Sequence, residues 1–309
     1  MSEPQQPAAP HTSVDSSDVN SSDVNSSDVN SSDVNFSVDS QGVDASGVNP
    51  SDRSWQDWLE HGNASAALQA YLQAGGASFE IEDALRALID MQRALRAKLW
   101  DKAISELHTP KEDVPDKDTL TMTAIVNWHA LKAGIEQLTT SHDTLEKRDA
   151  DAALAALDGL DVPLLAAEVD TQKGTAYIFK NQLDNAQNAF EAALERDPKH
   201  YRARTNLGNV ALERGQVNDA IEHYQAALRI NENFSNALHN LGVAYRRKGE
   251  IGKSVQAIRK AQRAMQQEDM TNARQTMKQS VKGGKYTKWF WYIVIGVVVY
   301  FILRSRGMI

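Results

Sequence analysis

Three glycines spaced 34 residues apart constrain the fold of this chain more than any other feature of its sequence. Gly174, Gly208 and Gly242 each lie in a segment whose apolar residues recur at three- and four-residue intervals, the spacing of an α-helix. A small residue, Ala186 or Ala220, follows the first two glycines after twelve positions. Small residues at matched positions let two helices approach to about 8–10 Å. The pattern predicts helical hairpins that stack, because a single hairpin leaves one apolar face uncovered.

The recurring residues resemble the tetratricopeptide repeat, a 34-residue helix–turn–helix unit. Aromatic residues keep the same register and would fill the space between successive hairpins; they are Tyr177, Phe190, Tyr224 and Tyr245. Three copies cover residues 167–268, and only the first keeps a closing proline, Pro198. The resemblance implies an all-α fold, a tetratricopeptide-type solenoid of helical hairpins.

Weaker copies of the pattern precede these three. The small residue of the second helix recurs after 36, 50, 33, 34 and 34 residues, at Ala67, Ala103, Ala153, Ala186, Ala220 and, as serine, Ser254. These spacings predict about six hairpins, of which the first three, over residues 52–166, are divergent. The spacing of 50 predicts an insertion, a polar loop over His108–Lys117 with a lengthened helix from Thr119.

Residues 1–51 have a different composition. Residues 16–35 are four copies of Ser-Ser-Asp-Val-Asn, and the first fifty residues hold eight acids and no lysine or arginine. One valine in five residues cannot build a core, so a disordered low-complexity tail is predicted, with a five-residue β-solenoid as the alternative. These acids account for the whole formal charge of −8. The neutral remainder argues against nucleic-acid binding.

An uncharged run of fifteen residues, 289–303, lies close to the C-terminus. As a helix it would be about 22 Å long, against about 30 Å for the hydrocarbon core of a bilayer. Flanking bases can reach the headgroups and make up part of the difference; they are Lys285, Lys288, Arg304 and Arg306. Because the run has no polar face, it predicts one transmembrane helix, followed by a short basic tail over 304–309. A buried terminal helix of the solenoid is the alternative.

Basic residues are more frequent before this run than after it. The positive-inside rule therefore predicts a single-pass, tail-anchored protein with its N-terminal domain in the cytoplasm. Residues 269–288 are predicted to form a capping helix and a basic linker that contacts anionic membrane lipid. We expect the bacterial inner membrane, or the mitochondrial outer membrane if the cell is eukaryotic.

Sequence motifs for catalysis are missing. The chain has no cysteine, its eight histidines show no metal-ligand spacing, and it has no glycine-rich nucleotide-binding loop. The sequence therefore predicts no enzymatic activity, no cofactor and no metal.

The resemblance implies a protein partner, because in this family the first helices line a groove that holds a peptide or a helix. The residues at these positions are Arg202, Asn206, Asn209, Asn236, Asn240, Arg246 and, on the capping helix, Arg274. Asparagine carries both a donor and an acceptor and can pair with a peptide backbone. The favoured hypothesis is a membrane-anchored scaffold that recruits a partner through this groove.

The alternative hypothesis is a chaperone-docking or precursor-protein receptor. Family members that bind chaperones hold a C-terminal carboxylate with two asparagines and three basic residues. Asn209, Asn240 and Arg274 match that set, but Thr205 and Met270 stand at the two lysine positions. The clamp is therefore incomplete, which favours the scaffold.

Overall fold

The computed structural model describes residues 53–107, 121–122, 124–282, 292–295, 297 and 303–306, which are helical or connecting and contain no β-strand. The helices between residues 53 and 282 are α1 (Trp55–Glu60), α2 (Ala64–Gln73), α3 (Phe79–Arg96), α4 (Trp100–Glu106), α5 (Trp128–Glu146), α6 (Ala150–Ala156), α7 (Ala166–Phe179), α8 (Leu183–Arg196), α9 (Tyr201–Glu213), α10 (Val217–Ile230), α11 (Ser235–Arg247) and α12 (Ile251–Lys282). A short 3₁₀ turn, Pro163–Leu165, precedes α7. The predicted tail, residues 1–51, lies outside the described residues.

Six hairpins, from α1–α2 to α11–α12, turn at a residue with positive φ. The turn residues are Gly62, Lys98, Arg148, Asn181, Gly215 and Gly249, with φ between +57° and +85°. In all six turns the next residue donates its N–H to the carbonyl five residues back, at 2.9–3.0 Å. This bond closes a helix end on a left-handed residue, for which glycine is the least strained choice. The turns recur with the same spacings as the small residues of the second helices.

Close contact within the hairpins explains the glycines at 34-residue spacing. A Cβ atom added at Gly174 would lie 2.5 Å from the ring of Phe190, and one added at Gly208 would lie 2.5 Å from the ring of Tyr224. Both rings are fully buried. The predicted all-α fold is confirmed, and these two rings, predicted to fill the space between successive hairpins, also lie against the glycine of their own hairpin.

The insertion is only partly described. The loop predicted over residues 108–117 lies outside the described residues. Thr119 also lies outside them, residues 121–122 and 124–125 are helical, and a further helix begins at Trp128, where Asn127 accepts the Ala130 N–H at 2.9 Å.

Helix α12 continues without interruption for 32 residues. The boundary predicted at 268/269, between the third repeat and a capping helix, therefore does not coincide with a helix end. The sequence from Lys253 to Lys282 contains neither glycine nor proline, so nothing in it terminates the helix.

The predicted transmembrane segment, 289–303, lies mostly outside the described residues. Within the described part of the chain, no helix combines the length and the apolar composition that a membrane crossing requires.

Candidate partner-binding site

The first helices of the last three hairpins, α7, α9 and α11, bring the predicted groove positions together. We call the surface formed by their matched residues the first-helix face. One position is occupied by Glu168, Arg202 and Asn236, and another by Gln172, Asn206 and Asn240. On α7 these side chains are buried, whereas on α9 and α11 they are half-buried or exposed. The face is therefore closed at its first repeat and open at the next two.

Asparagine side chains on the open part form a hydrogen-bonded ladder. Asn206 Nδ2 donates to Thr175 Oγ1 at 3.5 Å, and Asn209 Nδ2 donates to Asn206 Oδ1 at 3.3 Å. Asn240 Nδ2 donates to Asn209 Oδ1 at 2.8 Å. The ladder thus runs across three neighbouring helices, α7, α9 and α11.

Asn209 holds the ladder to the second helix of its own hairpin. Its Oδ1 also accepts from the Tyr224 hydroxyl at 2.8 Å. Burial raises the pKa of Tyr224, which keeps this hydroxyl protonated as a donor. Since the Asn209 carbonyl already accepts two hydrogen bonds, the residue has a structural role that the sequence hypothesis did not assign to it. Asn240 Oδ1 is the acceptor that remains free of partners among the described residues.

The closed part of the face contains a buried ionic cluster around Glu168, which is 2 % exposed. The carboxylate accepts from His200 Nε2 at 3.0 Å, from Arg202 Nη1 at 3.1 Å and from Gln172 Nε2 at 3.1 Å. Burial by itself raises the pKa of Glu168, but the Arg202 guanidinium and the contacts with His200 outweigh it and lower the pKa to about 2. Glu168 is therefore ionised and compensates buried positive charge.

The C-terminal end of α3 covers this cluster. Arg202 Nη1 donates to the carbonyl of Leu95 at 3.3 Å, and the Tyr201 hydroxyl donates to the carbonyl of Arg96 at 2.8 Å. These carbonyls belong to the last turn of α3, and that of Leu95 also accepts the Lys98 N–H at 2.9 Å. Arg96 Nη1, at the end of α3, also forms an ion pair with Asp197 Oδ2 at 2.6 Å. The two side chains are only 11 % and 12 % exposed, so the pair is largely shielded from water. Arg202, predicted to bind a partner, is thus engaged within the chain.

The remaining predicted residues are distributed as follows. Asn236 and Arg246 are exposed on α11. Arg274 lies on α12, the second helix of the last described hairpin, and its side chain is outside the described part of the structure. Arg304 and Arg306 are exposed, and Lys285 and Lys288 lie outside the described residues.

The structure also argues against a carboxylate clamp in this groove. Thr205, at a lysine position of the clamp, is buried, and its hydroxyl donates to the Tyr201 carbonyl of the same helix at 2.8 Å. A buried hydroxyl that is bonded to its own helix supplies no charge to a ligand carboxylate.

Comparisons with known proteins identify the repeats. Tetratricopeptide-repeat family models match residues 171–236 and 235–264. Residues 171–264 are tetratricopeptide repeats. A search of curated proteins gives no match.

Solved structures of MamA resemble the chain at low identity. One MamA crystal structure has 20 % identity over 58 % of this chain and 95 % of its own, with a TM-score of 0.38. MamA from Desulfovibrio magneticus RS-1, residue 41 to its end, has 17 % identity over 61 % of this chain and 98 % of its own, with a TM-score of 0.37.

Sequence reasoning missed the ionic cluster and the contact of α3 with α9. Glu168 and Arg202 occupy the same repeat position with opposite charge, which was a readable signal for an ion pair between adjacent first helices. Arg96 and Asp197 are 101 residues apart and carry no periodic signal.

Proposed function

We propose that this protein is a membrane-anchored, non-enzymatic scaffold that binds a partner protein through the open part of its first-helix face. The observation that supports it most is the contrast along that face. At the Glu168 cluster the face is covered by the C-terminal end of α3. On α11, in contrast, Asn236, Asn240 and Arg246 have polar groups available for a ligand.

The ligand best suited to this surface is an extended peptide or a helix that offers backbone or side-chain polar groups. Asn240 Oδ1 accepts from such a ligand, and Arg246 donates to a carbonyl or carboxylate. The ladder holds Asn240 in a fixed orientation before binding, and a fixed side chain loses less conformational entropy when the ligand arrives.

Mutation of exposed residues tests the proposal without disturbing the ladder. In the double variant Asn236→Ala, Arg246→Ala, each substitution should change the free energy of unfolding by no more than about 0.5 kcal/mol, because both side chains are exposed. Partner recovery in affinity capture should fall at least about tenfold, or about 1.4 kcal/mol. The control is Glu222→Ala, Arg229→Ala, two exposed residues on the second helix α10. Equal recovery with both variants would place the partner on another surface.

The anchor is part of the proposal and rests on the sequence. The uncharged run 289–303 with its flanking bases is consistent with a single span that holds the repeats at the cytoplasmic face of a membrane, the bacterial inner membrane being favoured. We expect the full chain to stay in the pellet after alkaline carbonate extraction and a chain ending at Lys282 to be released. Release of the full chain would rule out the anchor and leave the partner surface unaffected.

A further inference from the structure

Helix α12 exposes an apolar stripe beside its contact with α11. The terminal apolar stripe consists of Ile251, Val255 and Met265, at four- and fourteen-residue intervals, with the half-buried Ile258 at its edge against Gly242 of α11. Ile251 is 57 % exposed, Val255 44 % and Met265 54 %. Next to it on the helix surface, Ser254, Ala257, Ala261 and Ala264 are buried. The helix therefore packs with one side and leaves a second apolar side open.

The preceding hairpin shows what such a stripe contacts. Val217 and Ile221 stand 34 residues before Ile251 and Val255, and Ile221 is only 7 % exposed because it packs in a cluster with Leu241 of α11. A first helix therefore covers the equivalent surface of α10. No described helix covers that of α12.

The dimensions of the stripe fit a helix of the same kind. From Ile251 to Met265 the stripe runs about 21 Å at 1.5 Å per residue. The 13 residues of α11 span about 20 Å on the same basis. The open surface thus has the length of one first helix.

Charge along one edge of the stripe defines the partner further. Arg259 and Arg263 are exposed beside it. The residue equivalent to Arg259 is Gln225, whose Nε2 donates to the Tyr245 hydroxyl of the covering helix at 3.0 Å. A helix on α12 therefore places a side chain opposite Arg259, and a carboxylate there would be stabilised.

We propose that the terminal apolar stripe is a docking site for an amphipathic helix of another protein, with aliphatic residues on one face and an acidic edge toward Arg259 and Arg263. This site lies on the last second helix and is separate from the first-helix face. A second copy fits less well, because self-pairing of α12 about Ile258 would bring two Arg259 side chains together.

The probe is a peptide with the sequence of α11, which already fits the equivalent surface of α10. It carries Tyr245→Glu, and a matched peptide carries Tyr245→Lys; both are labelled and stapled on the side away from the contact. Fluorescence anisotropy with the full chain in mild detergent should show at least tenfold tighter binding of the glutamate peptide. Arg259→Glu should reverse the preference.

Two variants on adjacent residues separate the stripe from general charge effects. Val255→Asp should weaken binding of the glutamate peptide at least tenfold. Gln256→Asp introduces the same charge on the exposed polar side and should change the affinity less than twofold. Circular dichroism should show equal helix content in both. Asn236→Ala, Arg246→Ala should leave the affinity unchanged, which distinguishes this site from the proposed groove.

Three results would overturn the proposal. The first is that the stripe binds no peptide: neither peptide changes the anisotropy, or both bind with an affinity that Val255→Asp leaves unchanged. The second is that the wild type floats with phosphatidylserine vesicles, that Val255→Asp does not, and that the wild type binds neither peptide. This result would assign the stripe to lipid. The third is a dimer in sedimentation velocity that Val255→Asp dissociates and the peptide does not compete with, which would assign it to a second copy.

Discussion

Glu168 shows how a single residue can join two parts of a repeat protein. Its carboxylate accepts from His200 and Arg202, and Arg202 also holds the last turn of α3 through the Leu95 carbonyl. Removing one member of a buried ionic group leaves the charge of the others uncompensated. The loss of folding free energy is then larger than the net stabilisation that the intact ion pair provides. The residue therefore supports the position of the N-terminal helices as well as its own repeat.

The variant Glu168→Gln should lose about 3–5 kcal/mol of stability at pH 7, because Arg202 stays in place without its carboxylate. Since the native pKa of Glu168 is about 2 and its ordinary value is 4.5, its contribution is complete above pH 4.5 and is lost as the pH falls toward 2. The stability difference between wild type and variant should therefore narrow by about 3 kcal/mol across that interval.

Urea unfolding at several pH values, followed by circular dichroism, measures this difference. Glu222→Gln, an exposed acid on α10, serves as the control and should change stability by less than about 0.5 kcal/mol. A difference that stays constant down to the lowest pH would show that Glu168 titrates normally in the folded chain.

At the scale of helices, much of the architecture could be predicted from the sequence because it is local and periodic. The spacings 36, 50, 33, 34 and 34 locate six turns, and each turn closes with the same backbone hydrogen bond. The contact of α3 with α9 could not be predicted, since it depends on residues about a hundred positions apart with no repeated pattern. The asparagines predicted to line the groove do lie on neighbouring first helices, but Asn206, Asn209 and Asn240 hydrogen-bond to one another, which the sequence pattern did not indicate.

Gly208 tests the packing inside a hairpin. Gly208→Ala should destabilise the protein by about 1–3 kcal/mol, because the new Cβ would lie 2.5 Å from the ring of Tyr224. Gly252→Ala is the matched control, a helical glycine with nothing within 4 Å of the added Cβ, and should be neutral or slightly stabilising. Equal thermal unfolding of the two variants would mean that the ring moves aside freely.

At the scale of the whole molecule, the stacked hairpins are a series in which each unit is stabilised by its neighbours. The first hairpin begins with its own cap: Ser54 Oγ accepts the Asp57 N–H at 3.2 Å, and Asp57 Oδ2 accepts the Ser54 N–H at 2.9 Å. Trp58 and Leu59 of α1 are buried against the described helices. The first described helix therefore begins at its N-cap residue, Ser54.

Deletion of residues 1–51 should leave the melting temperature within about 2 °C of the full chain, because the cap and the core of α1 come from later residues. The deletion removes eight acids and no base, so the formal charge changes from −8 to −8 + 8 = 0. A protein without net charge associates more readily, so solubility should fall while stability does not. Scanning calorimetry and light scattering separate the two effects, and deletion of 16–35 alone, which removes four acids, should give half the change in charge. A drop of more than about 5 °C with either deletion would show that the Ser-Ser-Asp-Val-Asn copies stabilise the repeats.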